Sequence, residues 1–236
     1  MRVGRYVTLA SAAAVAVVAL ATAVWLVSPH GKPTPAAVAM SAGQPGPSAP
    51  GPSPAAAAER YVVVAEESRA LYRVGETLLR FNRPNVAVGV TQAIRGEIFV
   101  DRQRLANSRF GVFTVDISQL RSDEPRRDQA IRERWLESAR FPIARFQPVS
   151  VEGLPETYRE GEPVSVILHG ELTIRDVVRP VSFEGSFELN GDTLRGTAST
   201  TIRMTDFGFD PPSILGVLRA NHEVEIEVDV VARRSS

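Results

Sequence analysis

The chain contains no cysteine, and this absence removes several kinds of site at once. Disulfides, thiolate metal centres and cysteine nucleophiles are all excluded. A folded domain in this chain must therefore rest on its own apolar core.

Lysine is nearly absent, and the chain carries no net charge. Lys32 is the only lysine, so the basic charge is almost entirely arginine. The 27 basic residues balance 27 acidic ones. This balance gives no general electrostatic reason to expect nucleic-acid binding.

Familiar catalytic and metal motifs are also missing. The 3 histidines show no H-x-H or H-E-x-x-H spacing, and no G-x-S-x-G nucleophile motif occurs. Asp206-Phe207-Gly208 matches the magnesium motif of kinases, but neither a glycine-rich phosphate loop nor an HRD motif accompanies it. We therefore expect no catalytic residue, no metal site and no cofactor.

One long apolar run lies near the N-terminus. Residues 7–27 carry no charged side chain, and at about 1.5 Å per residue a helix of this length spans a bilayer core. Arg2 and Arg5 precede the run. This asymmetry favours a cytoplasmic segment 1–6, one crossing of the cytoplasmic membrane, and a domain on the outer side. The competing interpretation is a cleaved signal peptide, since Ala37-Val38-Ala39 has the small-x-small form of a cleavage site.

Residues 28–58 are rich in proline, alanine, glycine and serine. They contain too few apolar groups to offset the entropy of ordering, so we expect a disordered, semi-extended linker. The linker would hold a domain of residues 59–234 clear of the membrane.

Strand patterns dominate residues 59–234. In the last run, Val224, Ile226, Val228 and Val230 alternate with acidic residues, which predicts a strand with one buried and one solvated face. Long antiparallel strands joined by short turns favour a meander that closes into a barrel. A two-sheet sandwich is the other possibility.

A central hairpin is predicted at Glu171 to Phe183, ELTIRDVVRPVSF. Apolar β-rich runs flank its Arg175-Asp176 bend. Glycines inside other strands, such as Gly89 and Gly96, indicate bulges or bends, which a strongly curved sheet requires.

A single helix interrupts the strands. Ser122-Asp123-Glu124-Pro125 supplies capping side chains and an early proline, and Phe141-Pro142 supplies the end. Asp128 and Arg132 are spaced as an i,i+4 ion pair. An apolar stripe should close one end of the β domain, and its members are Ala130, Ile131, Trp135, Leu136 and Ala139.

Four segments occur in this order: the run from Glu67-Ser68 to Glu76, residues 115–146, ELTIRDVVRPVSFEGSF from Glu171, and TTIRMTDFGFDPP at 200–212. Together they resemble the YceI-like family of lipid- or polyisoprenoid-binding proteins. The resemblance covers about Tyr61 to Val231. It implies an all-β fold, namely an eight-stranded antiparallel lipocalin-like β-barrel with one short side helix. It also implies an elongated apolar tunnel for a polyisoprenoid, an isoprenoid quinone or another amphipathic lipid.

The chain departs from the family pattern at four positions. Many members carry a histidine before the early serine and a second histidine nine residues later, where this chain has Glu67 and Glu76. The usual glycine and threonine of the central turn are Asp176 and Val178. A head-group contact made by those histidines would have no direct counterpart here.

Ligand-contacting residues are sought among inward-facing aromatic side chains, each of which could equally fill a solid core. The candidates are Tyr72, Phe81, Phe99, Phe113, Phe183, Phe187, Phe207 and Phe209. Arginines suit phosphate-bearing head groups. Within the arginine-rich segment 121–145, Arg127 and Arg132 are the candidate head-group contacts, although a solvated helix face neutralised by nearby acids explains the same pattern.

The sequence therefore predicts a membrane-anchored extracytoplasmic binding protein that holds an amphipathic lipid inside its barrel. The alternative is a structural or adhesion-type domain with a filled core and a protein partner.

Overall fold

Antiparallel strands dominate the computed structural model, which describes residues 58–214 and 218–235. Fourteen strands lie in these ranges: β1 Glu59–Val63, β2 Arg69–Leu78, β3 Arg83–Thr91, β4 Ile94–Arg95, β5 Glu97–Val100, β6 Arg109–Phe110, β7 Phe113–Asp116, β8 Ile143–Glu152, β9 Val164–Ile174, β10 Val177–Asn190, β11 Thr193–Arg203, β12 Ser213–Ile214, β13 Leu218–Ala220 and β14 Glu223–Arg234. One helix, α1, spans Pro125–Ala130 and continues as a π-helical turn at Ile131–Trp135. Short 3-10 turns occupy Ala65–Glu67, Leu105–Asn107, Ile117–Gln119 and Met204–Phe207.

The strands form one curled sheet. Its main path runs β12-β13-β2-β14-β11-β10-β9-β8-β7-β4, and β3 adds to β2. One residue after β4 ends, β5 begins and pairs with β1, which in turn pairs with β14. The β4 end of the path is thus connected, through β5 and β1, to β14 within the path. The sheet therefore curves into a half-barrel with a concave inner face.

The prediction of an all-β antiparallel fold with one short helix is confirmed. The prediction of eight strands is wrong, because several strands are interrupted. Gly96 separates β4 from β5, and a Cβ atom at this position would lie 2.3 Å from the Phe113 ring. A 3-10 turn likewise separates β1 from β2.

The predicted central hairpin is present as β9 and β10. Ile174 faces Val177 in the ladder, so Arg175 and Asp176 form a two-residue turn, and Arg175 adopts a left-handed φ of 60°. Alternation along β9 buries Leu172 and Ile174 on the inner face.

The buried residues form two clusters. The first surrounds the concave face and includes Phe146, Phe183 and Ile202. The second lies around β1, β5 and the ends of β10 and β11, where Tyr61 and Leu189 are both 0% exposed. The second cluster is therefore a solid core. The first cluster instead borders an internal cavity.

The helix covers the concave face, but it is shorter than the sequence predicts. The π-helical turn ends at Trp135, and Glu137 then adopts a left-handed φ of 46°, which cannot continue a right-handed helix. The predicted Asp128–Arg132 ion pair is wrong. Asp128 instead accepts hydrogen bonds from the backbone and hydroxyl of Ser122, at 2.9 and 2.6 Å.

Segments 1–6 and 7–27, and the linker 28–58 apart from Ala58, lie outside the described residues. Within the described ranges, no helix combines the length and apolarity that crossing a bilayer requires.

Candidate ligand-binding site

An apolar cavity of about 520 Å³ lies between the concave face of the sheet and the helix. Its walls come mainly from the inward-facing positions of β2, β3, β7 to β11, β13 and β14, because alternate side chains of a strand point to the same face. The helix and the residue after it supply Ala130, Ile131, Trp135 and Leu136, so these members of the predicted apolar stripe do close the sheet. Ala139 was wrongly included, because it lies exposed beyond the end of the helix. The volume lies within the range of about 300–1,000 Å³ that is typical of small-molecule pockets.

Four of the predicted aromatic residues line this cavity. They are Tyr72 on β2, Phe113 on β7, Phe183 on β10 and Phe209 after the last 3-10 turn. The Phe183 ring meets the Phe146 ring edge-on, with centroids 4.9 Å apart, so these two side chains hold each other in the wall.

The other four lie elsewhere. Phe187 belongs to the solid second cluster, and Phe207 is 1% exposed in the first cluster without lining the cavity. Phe99 lies between the buried Ile98 and Val100, so its ring faces outward. Phe81 is 72% exposed in the turn after β2, outside the interior in which the sequence placed it.

A buried ion pair forms the polar part of the cavity. Arg127 and Glu76 both line the cavity, with Arg127 Nε 3.6 Å from Glu76 Oε1. The Glu76 side chain is 6% exposed and also accepts a hydrogen bond from Asn85 at 3.1 Å. Arg127 Nη1 reaches Asp123 at 2.5 Å, and this contact lowers the pKa of Asp123. Two carboxylates, Glu76 and Asp123, therefore surround the Arg127 guanidinium.

Tyr72 adds a neutral hydroxyl to this polar region. Burial raises the pKa of Tyr72 to about 12, and the nearby charge of Arg127 opposes the rise. The phenol therefore keeps its proton at neutral pH and can donate a hydrogen bond. Its ring lies over Gly89, where a Cβ atom would come within 2.1 Å of the ring.

Arg132, the other predicted head-group residue, does not line the cavity. Its Nη1 donates to the backbone carbonyl of Leu120 at 3.1 Å. The structure thus brings Arg127, but not Arg132, to the ligand space.

Glu76 is the residue that sequence reasoning missed as a site candidate. The only signal was its position, which the family resemblance described above assigns to a histidine in many members. Glu67, at the other such position, lies at the surface and pairs with Arg233 at 2.6 Å. Only one of the two substituted positions therefore faces the cavity.

The cavity's chemistry fits binding by burial of apolar surface. Besides Tyr72 and the buried pair, its polar lining is limited to Glu124, Arg126 and Arg145. In the part of the chain that the structure describes, no group of three or more His, Asp or Glu side chains is placed to hold a metal ion.

Comparison with known families supports the same fold. The model of the YceI-like domain matches residues 61–232. The chain belongs to this family. The curated proteins contain no match to the sequence.

Among the solved structures that resemble this YceI-like domain are the following two. One is BcnA of Burkholderia cenocepacia, with 17% identity, a TM-score of 0.54, and coverage of 72% of this chain and 98% of that one. The other is a polyisoprenoid binding domain from Saccharophagus degradans implicated in plant cell wall breakdown. It has 9% identity, a TM-score of 0.54, and coverage of 75% of this chain and 99% of that one. At these identities the likeness establishes the fold alone.

Proposed function

We propose that this protein binds an amphipathic lipid, with a polyisoprenoid or similar apolar chain inside the cavity. The observation that carries the proposal is the apolar space of about 520 Å³ between sheet and helix. An apolar chain that fills it would gain about 25 cal/mol for each Å² of its surface removed from water. The fold shared with a polyisoprenoid binding domain supports the same conclusion.

The head group of the lipid would lie at the polar region of the cavity. There the protonated Tyr72 hydroxyl is free to donate to a ligand, and Arg127 presents N–H groups whose charge Glu76 and Asp123 already balance. This arrangement suits a head group that accepts hydrogen bonds, such as a quinone carbonyl, and Arg126 and Arg145 in the cavity lining also allow a phosphate-bearing one. Arg132 has no part in the proposal, because its guanidinium holds the Leu120 carbonyl.

The proposed location follows from the sequence alone. Residues 7–27 would cross the cytoplasmic membrane once with residues 1–6 inside, and residues 28–58 would link this anchor to the binding domain outside. The role is that of a binding protein rather than an enzyme. The alternative structural or adhesion-type domain requires a filled core, and the cavity does not fit that requirement.

An organic extract of the purified chain, analysed by mass spectrometry, tests the proposal directly. A stoichiometric lipid supports it. A clean extract together with no uptake of a fluorescent prenyl probe contradicts it.

A pair of tryptophan substitutions tests the cavity as the site. Ala144 and Ile226 line it from β8 and β14, so Ala144→Trp combined with Ile226→Trp should occupy a large part of the space and strongly reduce probe uptake. Because the added rings enter empty volume, thermal stability should not fall. Ala139→Trp, at an exposed position of the turn after the helix, is the matched control and should take up the probe normally. Undiminished uptake by the folded double variant would place the ligand elsewhere.

A further inference from the structure

The turn between β2 and β3 exposes an unusual amount of apolar surface. Leu79 is 40% exposed, Phe81 is 72% exposed and, on the outer face of β3, Val86 is 58% exposed. These three account for half of the large exposed hydrophobic residues in the described ranges. Leu79 and Phe81 share the turn itself, and Val86 extends the apolar surface along β3, where it lies opposite Gly75. Exposed apolar side chains that recur along one hairpin end indicate a contact surface. We call residues 79–86, which comprise this turn and the start of β3, the hairpin tip.

The hairpin tip is also basic. It carries Arg80 and Arg83 and no acidic residue, and the Arg80 guanidinium lies 5.8 Å from the Phe81 ring centroid. Arg219 lies on β13, where it pairs with Thr77 of β2. It adds a third exposed arginine beside the hairpin tip. Among the described residues, no carboxylate lies within ion-pair distance of these three side chains. Their charge is therefore available to an outside partner.

The hairpin tip lies at one end of the lipid cavity. Leu78, the residue before it, pairs with Leu218, and Leu218 lines the cavity. Glu76 of the buried ion pair lies only two residues further back along β2. At about 3.3 Å per residue, the tip begins within about 10 Å of the polar region of the cavity.

We propose that the hairpin tip docks on the surface of an anionic lipid bilayer. Phe81 and Leu79 enter the boundary between head groups and acyl chains, while Arg80, Arg83 and Arg219 contact lipid phosphates. An aromatic and aliphatic tip flanked by arginines matches the layered chemistry of that surface, which offers apolar chains beneath negative charge. Docking would bring the end of the cavity to the membrane. Docking requires only the exposed apolar residues and the arginines of the hairpin tip, whether or not the cavity holds a lipid.

The absence of cysteine makes a direct test possible in the full chain. Phe81→Cys gives a single thiol that can carry an environment-sensitive NBD fluorophore. Val149→Cys is the matched control, because Val149 is an equally exposed apolar residue, at 75%, on β8. Both labelled chains retain residues 1–57, so any membrane binding by those residues is common to both.

With phosphatidylcholine vesicles that contain phosphatidylglycerol, the Phe81 label should shift to the blue and become shielded from dithionite, and salt should weaken the effect. The Val149 label should not respond. Adding Arg80→Gln and Arg83→Gln should raise the vesicle concentration needed for the Phe81 response on the order of tenfold.

Two outcomes would overturn the proposal. One is an identical response from both labels. The other is a Phe81 shift that appears without vesicles and grows with protein concentration, which would identify a second copy of the chain as the occupant.

Discussion

Tyr72 connects the packing of the sheet to the chemistry of the cavity. Its ring lies over Gly89 on the neighbouring strand, and its hydroxyl lies near Arg127, Glu76 and Asp128. A residue with any side chain at position 89 would occupy the place of the ring. The glycine and the tyrosine therefore act as one unit, in which the missing side chain determines where the phenol lies.

Gly89→Ala should destabilise the fold by about 1–3 kcal/mol, since the new methyl group displaces the Tyr72 ring. Urea unfolding measures the loss. In a Tyr72→Ala background the same substitution should cost much less, because no ring then opposes the methyl group. Equal costs in the two backgrounds would show that the contact has no energetic weight.

The raised pKa of Tyr72 predicts a specific pH dependence. The folded protein holds this proton up to about pH 12, whereas the unfolded chain releases it near pH 10. The folded state thus binds more protons between these values, so stability is fully present below pH 10 and falls by about 2–3 kcal/mol as the pH rises to 12. Tyr72→Phe should lack this decline. The test compares unfolding free energies of the two proteins across that range, and parallel curves would contradict the assignment.

At the scale of elements, two contacts fix the helix over the cavity. At its start, Asp128 receives hydrogen bonds from Ser122. At its end, Glu137 forms an ion pair with Arg175 in the turn between β9 and β10. Both residues of this pair have left-handed φ values, 46° and 60°, so each backbone is held in an unfavourable conformation at the point where the elements meet.

Two substitutions of Arg175 separate the ion pair from the backbone strain. Arg175→Ala and Arg175→Gly both remove the pair, so both should speed hydrogen exchange in residues 125–136. The glycine variant should be more stable than the alanine variant by about 1 kcal/mol, because glycine adopts a positive φ without steric cost. Arg179→Ala, on the exposed face of the same hairpin, should change neither quantity. Unchanged exchange in both Arg175 variants would show that the pair does not hold the helix.

At the scale of the whole molecule, the described domain has a solid end and a hollow end. The solid cluster includes Leu189 and Leu194, at 0% and 1% exposed, whereas residues such as Leu172 border the cavity. A side chain beside empty space lacks partner atoms on one side and contributes less dispersion energy. Stability should therefore come mainly from the solid end.

Matched truncations test this division. Leu194→Ala should cost about 3–5 kcal/mol, near the upper part of the range for buried leucines, and Leu172→Ala about 2 kcal/mol. Both leucines are buried on strands, so chemistry and burial are matched, and denaturant unfolding without added lipid measures the difference. A larger loss at Leu172 would mean that the cavity wall, not the solid cluster, carries the fold.

Much of this architecture was readable from local pattern, because alternation and turn residues act between near neighbours. The inward positions of Val224 and Ile226 and the central hairpin followed in this way. The cavity lining was harder to predict from the sequence, because residues of the same type on the same strand have different surroundings. Phe183 lines the cavity and Phe187, four residues later on the same strand, fills the solid core. The burial of Glu76 depends on Arg127, which is distant in sequence, so no local pattern revealed it.

β1 enters the sheet between β14 and β5, and Tyr61 within it is 0% exposed in the solid cluster. Any pulling force that arrives along the chain before Glu59 first reaches this strand. It must break two ladders and extract Tyr61 before it reaches the residues around the cavity. The strand that first meets such a load and the cavity therefore lie at different ends of the domain, and tension applied ahead of Glu59 should leave the cavity undeformed until β1 itself gives way.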